Sequence, residues 1–263
     1  MPSCSTAKNP AGIEILFQED THEYSSIING EKIIYTSGTT LVGKFFKPFD
    51  ADRIAPFSAK KLGITVEEVK ERWRKAGEDA SRFGTRCHEV CEDTILGRDL
   101  RNSPENEKEE LTFKHAVSAA TAIRNKFEIV GVEKIVFDHR LKIAGTIDLL
   151  CRSRVQKNLW YIFDWKTNKE ILSENKYGEH ALDPISHLDD TTKNHYQLQL
   201  NLYEYLLKFG NYVPKDTIFK KVLFHLKPDG VGKIELGDFQ SEIKDMLIYH
   251  LIHQEAPAKS SSV

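Results

Sequence analysis

The sequence has few cysteines and lacks several features that assign a chain to a specialised class of protein. Its 263 residues include four cysteines, at positions 4, 87, 91 and 151, and these show no disulfide framework. No run of about 18 apolar residues predicts a membrane span, and the N-terminus lacks the apolar segment of a secretory signal. We therefore expect a soluble, intracellular protein without membrane contact, and a cytoplasmic one if its source is a phage or a bacterium.

The sequence also lacks an excess of charge of either sign. It has 37 Lys and Arg residues against 39 Asp and Glu residues, which gives a formal net charge of −2 at pH 7. A charge so close to zero provides no overall attraction to nucleic acid, so any binding of DNA has to rest on local groups. With 40% hydrophobic and 29% charged residues, the composition is that of an ordinary globular protein.

No stretch inside the chain is rich enough in glycine or proline to act as a linker. We predict flexible tails over residues 1–11 and 256–263, with one folded region between them. Residues 12–80 are predicted as a β-hairpin and a helical extension, of which residues 41–75 suit a cap over the site, and residues 81–255 as the core. The hairpin prediction rests on Asn29-Gly30, which lies between two strand-like runs.

The core region predicts a regular order of elements. Thr65 and Glu68 form a capping box that opens a helix, which we expect to be interrupted at Gly77 and Gly84. Helical pattern continues over residues 81–97 and 107–127. The remaining elements are predicted as strands near 133–140, 144–152 and 159–165, a helix at 191–209, a strand at 217–226, a hairpin through Gly230 and a helix at 238–253.

Two acidic residues and a lysine lie in neighbouring apolar runs. Asp148 lies in the run GTIDLL, and Asp164 and Lys166 lie in the run IFDWKT. Because side chains alternate along a strand, Asp164 and Lys166 should project from one side of the sheet, and a hairpin would bring Asp148 beside them. Mg²⁺ is held in proteins by one or two carboxylates, so the pattern predicts a cation site next to a lysine. The alternative is an ordinary salt bridge between Asp164 and Lys166.

Two helical patterns add polar side chains at a spacing of four residues. His88 and Glu92 lie one turn apart on one helix face, and neutral imidazole is an acceptable metal ligand. The alternative for His88 is a packed or solvated residue. Gln199 and Tyr203 share a face of an amphipathic helix, although Gln197 competes with Gln199 by composition.

The ordered combination of His88, Asp148, the DWK run and the QLNLY run resembles the RecB-type exonuclease branch of the PD-(D/E)XK nuclease superfamily. That branch includes RecB nuclease domains, phage and viral exonucleases, and the mitochondrial genome maintenance exonuclease. The resemblance implies an α/β fold with an αβββαβ core, in which helices flank a mixed central sheet. It covers residues 80–210 with motifs.

The resemblance also implies roles for the motif residues. His88, Asp148, Asp164 and Lys166 form the catalytic set. Mg²⁺ or Mn²⁺ would be bound by His88, Asp148, Asp164 and the backbone carbonyl of Trp165. Some relatives carry an iron–sulfur cluster on one early and three late cysteines; because no cysteine follows position 151, we predict none here.

Six further residues are predicted to support the site or to bind substrate. Gln199 and Tyr203 would support the catalytic sheet, and Glu92 would assist next to His88. Glu133 would lie near a second metal position, with a solvated strand start as the alternative. Arg82 and Arg86 are expected to contact DNA phosphates, although a solvated helix face explains the basic residues upstream of them nearly as well.

These observations predict a metal-dependent DNA exonuclease that hydrolyses phosphodiester bonds from DNA ends in recombination, repair or replication. A structure-selective endonuclease would use the same residues. A DNA-binding accessory module without catalysis is the alternative from another class. By resemblance alone, a recombinase, an annealing protein or a polymerase is a plausible partner.

Overall fold

Nine strands form a single sheet in the computed structural model, which describes residues 4–254. The strands are β1 (Cys4–Lys8), β2 (Glu14–Gln18), β3 (Glu23–Ile28), β4 (Glu31–Ser37), β5 (Phe127–Asp138), β6 (Ile143–Ser153), β7 (Leu159–Lys166), β8 (Ile218–Lys227) and β9 (Gly230–Leu236). The helices are α1 (Gly38–Gly43), α2 (Ala51–Leu62), α3 (Val66–Leu96), α4 (Glu107–Lys126), α5 (Thr192–Phe209) and α6 (Gln240–Gln254).

The sheet is mixed and largely antiparallel. Its main path runs β1-β2-β3-β4-β6-β7-β8-β9, and β5 pairs with β6 off this path. The pairs β4–β6 and β7–β8 are parallel, and the other pairs are antiparallel. The protein is therefore an α/β fold whose central strands, β5 to β8, lie between two layers of helices.

Each face of the central strands contacts its own layer of helices. Ile147 and Ile162 belong to a buried cluster with residues of α1, α5 and α6, whereas Leu149 and Phe163 belong to a cluster with residues of α3 and α4. Leu150 lies in the same cluster as Ile147, three positions away. Strict two-residue alternation therefore does not hold in β6 across Asp148.

The predicted order of elements after residue 127 is confirmed, with shifts of a few residues at element ends. The hairpin at Asn29-Gly30 is also confirmed, because these two residues connect β3 to β4 with φ angles of 52° and 84°. Two positive φ angles are what a two-residue hairpin turn requires.

Two local predictions are wrong. Residues 1–11 were predicted as a tail, but Cys4–Lys8 form β1, which pairs antiparallel with β2. The expected interruptions of the helix at Gly77 and Gly84 are absent as well, since α3 runs without a break from Val66 to Leu96. A glycine costs a helix only about 1 kcal/mol, which packing readily offsets. The predicted tail at 256–263 lies outside the described residues.

The region predicted as a cap divides into two parts. Leu41, Val42 and Phe46 are buried in the same cluster as α5, so the start of this region is part of the core rather than a cap. The helix α2 instead packs on the first turns of α3, where Ala55 and Ala59 meet Val69. For this helical pair the role of a cap stays a prediction. Among the described residues, no helix is long and apolar enough to cross a membrane.

Candidate metal centre

Three carboxylates lie in a row across the strands β5, β6 and β7. Leu149 pairs with Phe163, so Asp148 lies across from Asp164 in the adjacent strand. On its other side, Val132 and Lys134 pair with Leu149 and Ile147, so Glu133 lies across from Asp148. This register is a consequence of the β6–β7 hairpin that the two apolar runs predict.

Asp148 is held by groups from two elements. Its Oδ2 accepts a hydrogen bond of 2.8 Å from the backbone N–H of Trp165, and Nδ1 of His88 lies 3.4 Å from the same oxygen. Possible ligand atoms of His88, Glu133 and Asp148 all lie within 4.8 Å of one another. The helix α3 therefore brings the predicted histidine to the row of carboxylates.

Asp164 and Lys166 form a buried ion pair on the other side of Asp148. Nζ of Lys166 lies 2.6 Å from Oδ2 of Asp164, and the Asp164 side chain is only 4% exposed. This Oδ2 is buried, so the contact with the Lys166 ammonium replaces the solvent that the oxygen would otherwise meet. Trp165 packs on the other face of the sheet, in the cluster with α3 and α4. The predicted alternation of side chains along β7 is therefore confirmed.

Burial and crowding shift the pKa values of this pair. Burial raises the pKa of Asp164 to about 6; the charge of Lys166 opposes this rise and the charge of Asp148 adds to it. Burial lowers the pKa of Lys166, but the charges of Asp164 and Asp148 outweigh burial, so the pKa lies above its ordinary value. Lys166 is therefore an ammonium at neutral pH.

Glu133 has a strained backbone and an unfavourable electrostatic environment. Its φ of 45° is left-handed, which is uncommon for a residue other than glycine. Desolvation raises its pKa, and the charges of Asp148 and Glu92 raise it further. Because the residue is exposed, solvent screening reduces this effect. Glu133 lies at the open side of the row and is available to a ligand from solvent.

The donor set suits a hard cation. A metal such as Mg²⁺ prefers oxygen ligands, and Asp148 and Asp164 present them side by side. The possible ligand atoms of His88, Glu133 and Asp148 lie within 4.8 Å of one another, so these three residues are close enough together to hold one ion. Asp164 is not a member of this group, so its place as a metal ligand stays a prediction. The carbonyl of Trp165 stays a predicted ligand.

Gln199 and Tyr203 lie together behind the row. Nε2 of Gln199 donates a hydrogen bond of 3.0 Å to the hydroxyl of Tyr203, which is buried. The Tyr203 ring lies against Gly145, where a Cβ atom would meet the ring at 2.4 Å. Gln197 instead accepts a hydrogen bond from the N–H of Gly237, far along the chain. Tyr203 therefore supports β6 just before Asp148.

The predicted phosphate contacts are less favourable than expected. Arg86 is only 12% exposed and pairs with Glu105 and Glu109, contacts that join α3 to the start of α4, so its contact with DNA stays a prediction. Arg82 is exposed but also pairs with Glu105. The spacing along α3 did not reveal these partners, because Glu105 and Glu109 come from a distant part of the sequence.

Glu92 lies one helical turn after His88, but its carboxylate pairs with other residues. Its carboxylate pairs with Arg98 at 3.5 Å and with Arg101, which closes the C-terminal end of α3. Its remaining influence on the row is electrostatic, through the raised pKa of Glu133.

Sequence reasoning missed three residues that lie beside Lys166. Tyr196 places its ring 4.7 Å from Nζ of Lys166, and its hydroxyl donates to Oδ1 of Asn168 at 2.7 Å. His225 lies next to Lys166 in the parallel pair β7–β8. The available signal was the position of Tyr196, one turn before Gln199 in the same helix. A single histidine in a strand carries no such signal.

Comparison with known proteins adds no identification. No family model matches the chain, and no curated protein matches it. One solved structure, described as "Crystal structure of SSO0001", is similar at 15% sequence identity with a TM-score of 0.30, over 84% of this chain and 77% of that chain. A likeness at this level supports no argument about fold or function.

Proposed function

We propose that this protein is a metal-dependent deoxyribonuclease of the RecB-type branch of the PD-(D/E)XK superfamily, which hydrolyses phosphodiester bonds at DNA ends. The observation that carries the proposal is the row of Glu133, Asp148 and Asp164, with Lys166 at one end and His88 above it. The succession of α4, β5 to β7, α5 and β8 agrees with the αβββαβ core that the sequence resemblance implies.

Asp148 and Asp164 would hold Mg²⁺ or Mn²⁺, with His88 and Glu133 on the same side. When bound, such an ion polarises a phosphoryl oxygen and lowers the pKa of a bound water. The two aspartates lie on adjacent strands and are fixed by the register of β6 and β7, so little reorganisation precedes binding.

Lys166 has the charge and position to act on the reacting phosphate. Hydrolysis requires water to form a new bond to phosphorus while the bond to the leaving oxygen breaks, and negative charge increases on the phosphoryl oxygens. An ammonium group stabilises that charge and orients the water, but it does not accept a proton. The raised pKa of Lys166 favours this role over that of a general base.

His88 has a different part. Nδ1 of His88 lies 3.4 Å from Oδ2 of Asp148, so the imidazole orients this carboxylate or shares its ligand. Since Asp148 also accepts from the N–H of Trp165, its carboxylate plane is fixed from two directions. These contacts preorganise the site without contacting the phosphate themselves.

The test is a cleavage assay with the purified protein. End-labelled linear single-stranded DNA, linear duplex and a closed circle are each incubated with Mg²⁺, with Mn²⁺ and with EDTA. We expect metal-dependent loss of the linear substrates. Lys166→Ala should abolish cleavage, and Lys169→Ala, a change at an exposed lysine three positions away, should leave it intact.

Each outcome has a clear meaning. Cleavage of the circle as fast as the linear forms would replace the exonuclease by a structure-selective endonuclease. Binding of DNA with no cleavage under any metal would replace the enzyme by a DNA-binding module of recombination or replication. Full activity in a folded Lys166→Ala protein would refute the assignment of this site.

A further inference from the structure

The segment that follows Lys166 is held at Asn168 by two hydrogen bonds, one with His225 and one with Tyr196. The strand β7 ends at Lys166, and the chain then runs without a helix or a named strand until α5 begins at Thr192. Asn168 lies two residues into this connection. Its backbone carbonyl lies 2.5 Å from Nε2 of His225, and its side-chain oxygen accepts from the hydroxyl of Tyr196 at 2.7 Å.

The contact with His225 fixes the backbone. A carbonyl oxygen only accepts hydrogen bonds, so Nε2 of His225 carries the hydrogen. His225 is 8% exposed and pairs in register with Lys166 across β7–β8. This part-buried bond therefore extends the attachment of β7 to β8 by two residues beyond the last strand pair.

The contact with Tyr196 fixes the side chain of Lys166. The Tyr196 ring lies 4.7 Å from Nζ of Lys166, a distance at which an ammonium is attracted to the face of an aromatic ring. The ring is in turn oriented by its hydroxyl, which donates to Asn168. Three contacts thus connect His225 to Asn168, Asn168 to Tyr196, and Tyr196 to Lys166.

We propose that His225 and Tyr196 are positioning residues for Lys166, which Tyr196 restrains by direct contact and His225 restrains through Asn168 and Tyr196. Neither needs to contact the substrate. Lys166 has two restraints on its ammonium, the carboxylate of Asp164 on one side and the ring of Tyr196 on the other. Without the second restraint, the flexible lysine side chain has more rotamers available, and fewer of them point toward the reacting phosphate. The catalytic consequence rests on the proposed nuclease function, and the restraint on Lys166 does not.

The restraint is measured without DNA, as the rate at which acetic anhydride acetylates Lys166. Mass spectrometry of the digested protein reports this rate relative to that of exposed Lys169, which serves as an internal reference. His225→Leu removes the donor, whereas His225→Gln keeps an N–H donor at a similar distance. We expect the relative rate to rise about 5-fold in the leucine variant and to change less than about 2-fold in the glutamine variant.

Tyr196 provides an independent pair of variants. Tyr196→Leu removes the ring and should raise the relative rate about 5-fold, whereas Tyr196→Phe keeps the ring and should raise it less. This pair carries the test if His225→Leu does not fold. His187→Leu, a change at an exposed histidine that contacts Glu242, is the control and should have no effect.

Cleavage kinetics then connect the restraint to the reaction. His225→Leu and Tyr196→Leu should lower kcat about 10-fold with KM nearly unchanged, because positioning acts on the reacting state rather than on binding. Equal acetylation rates in the leucine and glutamine variants would overturn the proposal, as would a raised rate with unchanged kcat. Raised acetylation rates in the two leucine variants, together with a wild-type protein that cleaves no DNA, would refute the nuclease function and leave the restraint established.

Discussion

Two buried lysine–carboxylate pairs lie on the same side of the sheet, and they differ in how completely their polar atoms are satisfied. In the first, Lys221 donates to Oε2 of Glu204 at 2.5 Å and to Oδ1 of Asn201 at 2.8 Å. Lys208 donates to the remaining oxygen of Glu204 at 2.7 Å. Every oxygen of this carboxylate has a partner.

The second pair is incomplete. Among the described residues, Lys166 is the one cation that contacts the Asp164 carboxylate, and a second carboxylate, Asp148, lies across from it. The first pair therefore suits a structural role, in which burial is matched by hydrogen bonds. The second pair has an excess of negative charge that a cation would neutralise. The number of partners of the carboxylate, more than its burial, therefore separates a structural pair from one that suits a metal site.

The largest expected effect comes from removing the carboxylate charge of Asp164 from the incomplete pair. Asp164→Asn should lower DNA cleavage by about 10³-fold or more, because a metal ligand is lost, while the free energy of unfolding at pH 7 is unchanged or higher. Cleavage rates and urea unfolding without metal measure the two quantities. A large loss of stability in this variant would mean that the two pairs do not differ as described.

Removing the lysine charge of the complete pair should have the opposite result: stability should fall and cleavage should not change. Lys221→Met leaves the carboxylate of Glu204 buried with Lys208 alone, so we expect the free energy of unfolding to fall by about 3 kcal/mol. The cleavage rate per folded molecule should stay unchanged. Urea unfolding of this variant tests the prediction. The double variant Lys221→Met with Glu204→Leu is the control and should recover most of the loss.

The free energy of unfolding should depend on pH through Asp164 of the incomplete pair. The pKa of Asp164 is raised from 3.8 to about 6, so the folded state binds more protons than the unfolded state between these values. Stability without metal, measured relative to Asp164→Asn, should therefore fall as the pH rises from about 4 to 7. Urea unfolding at several pH values in EDTA provides the measurement, and a difference that grows in the opposite direction would contradict it.

The smallest effect should come from the outer lysine of the complete pair. Lys208 lies one helical turn after Glu204 and is partly exposed, so its bond is shared with solvent. Lys208→Ala should lower the free energy of unfolding by about 0.5 kcal/mol. A loss as large as that of Lys221→Met would show that all three members of the cluster act as one unit.

The sequence predicted the site better than its surroundings. Asp148, Asp164 and Lys166 were predictable because strand alternation and a hairpin are local rules that survive folding. The left-handed backbone at Glu133 was not predictable, since it arises within the pairing of β5 with β6. The partners of Arg86 were not predictable either, because Glu105 and Glu109 lie just before and within α4. The complete pair was missed because Glu204 and Lys221 carry no motif.

The close contact between Gly145 and Tyr203 has a consequence for how this chain can change over generations. A Cβ atom at position 145 would lie 2.4 Å from the Tyr203 ring, so even alanine requires that ring to move. Because Tyr203 also contacts Gln199, the ring has little room to yield. We expect the two positions to be inherited as a pair: a larger residue at 145 survives only in a lineage where the residue at 203 has already become smaller.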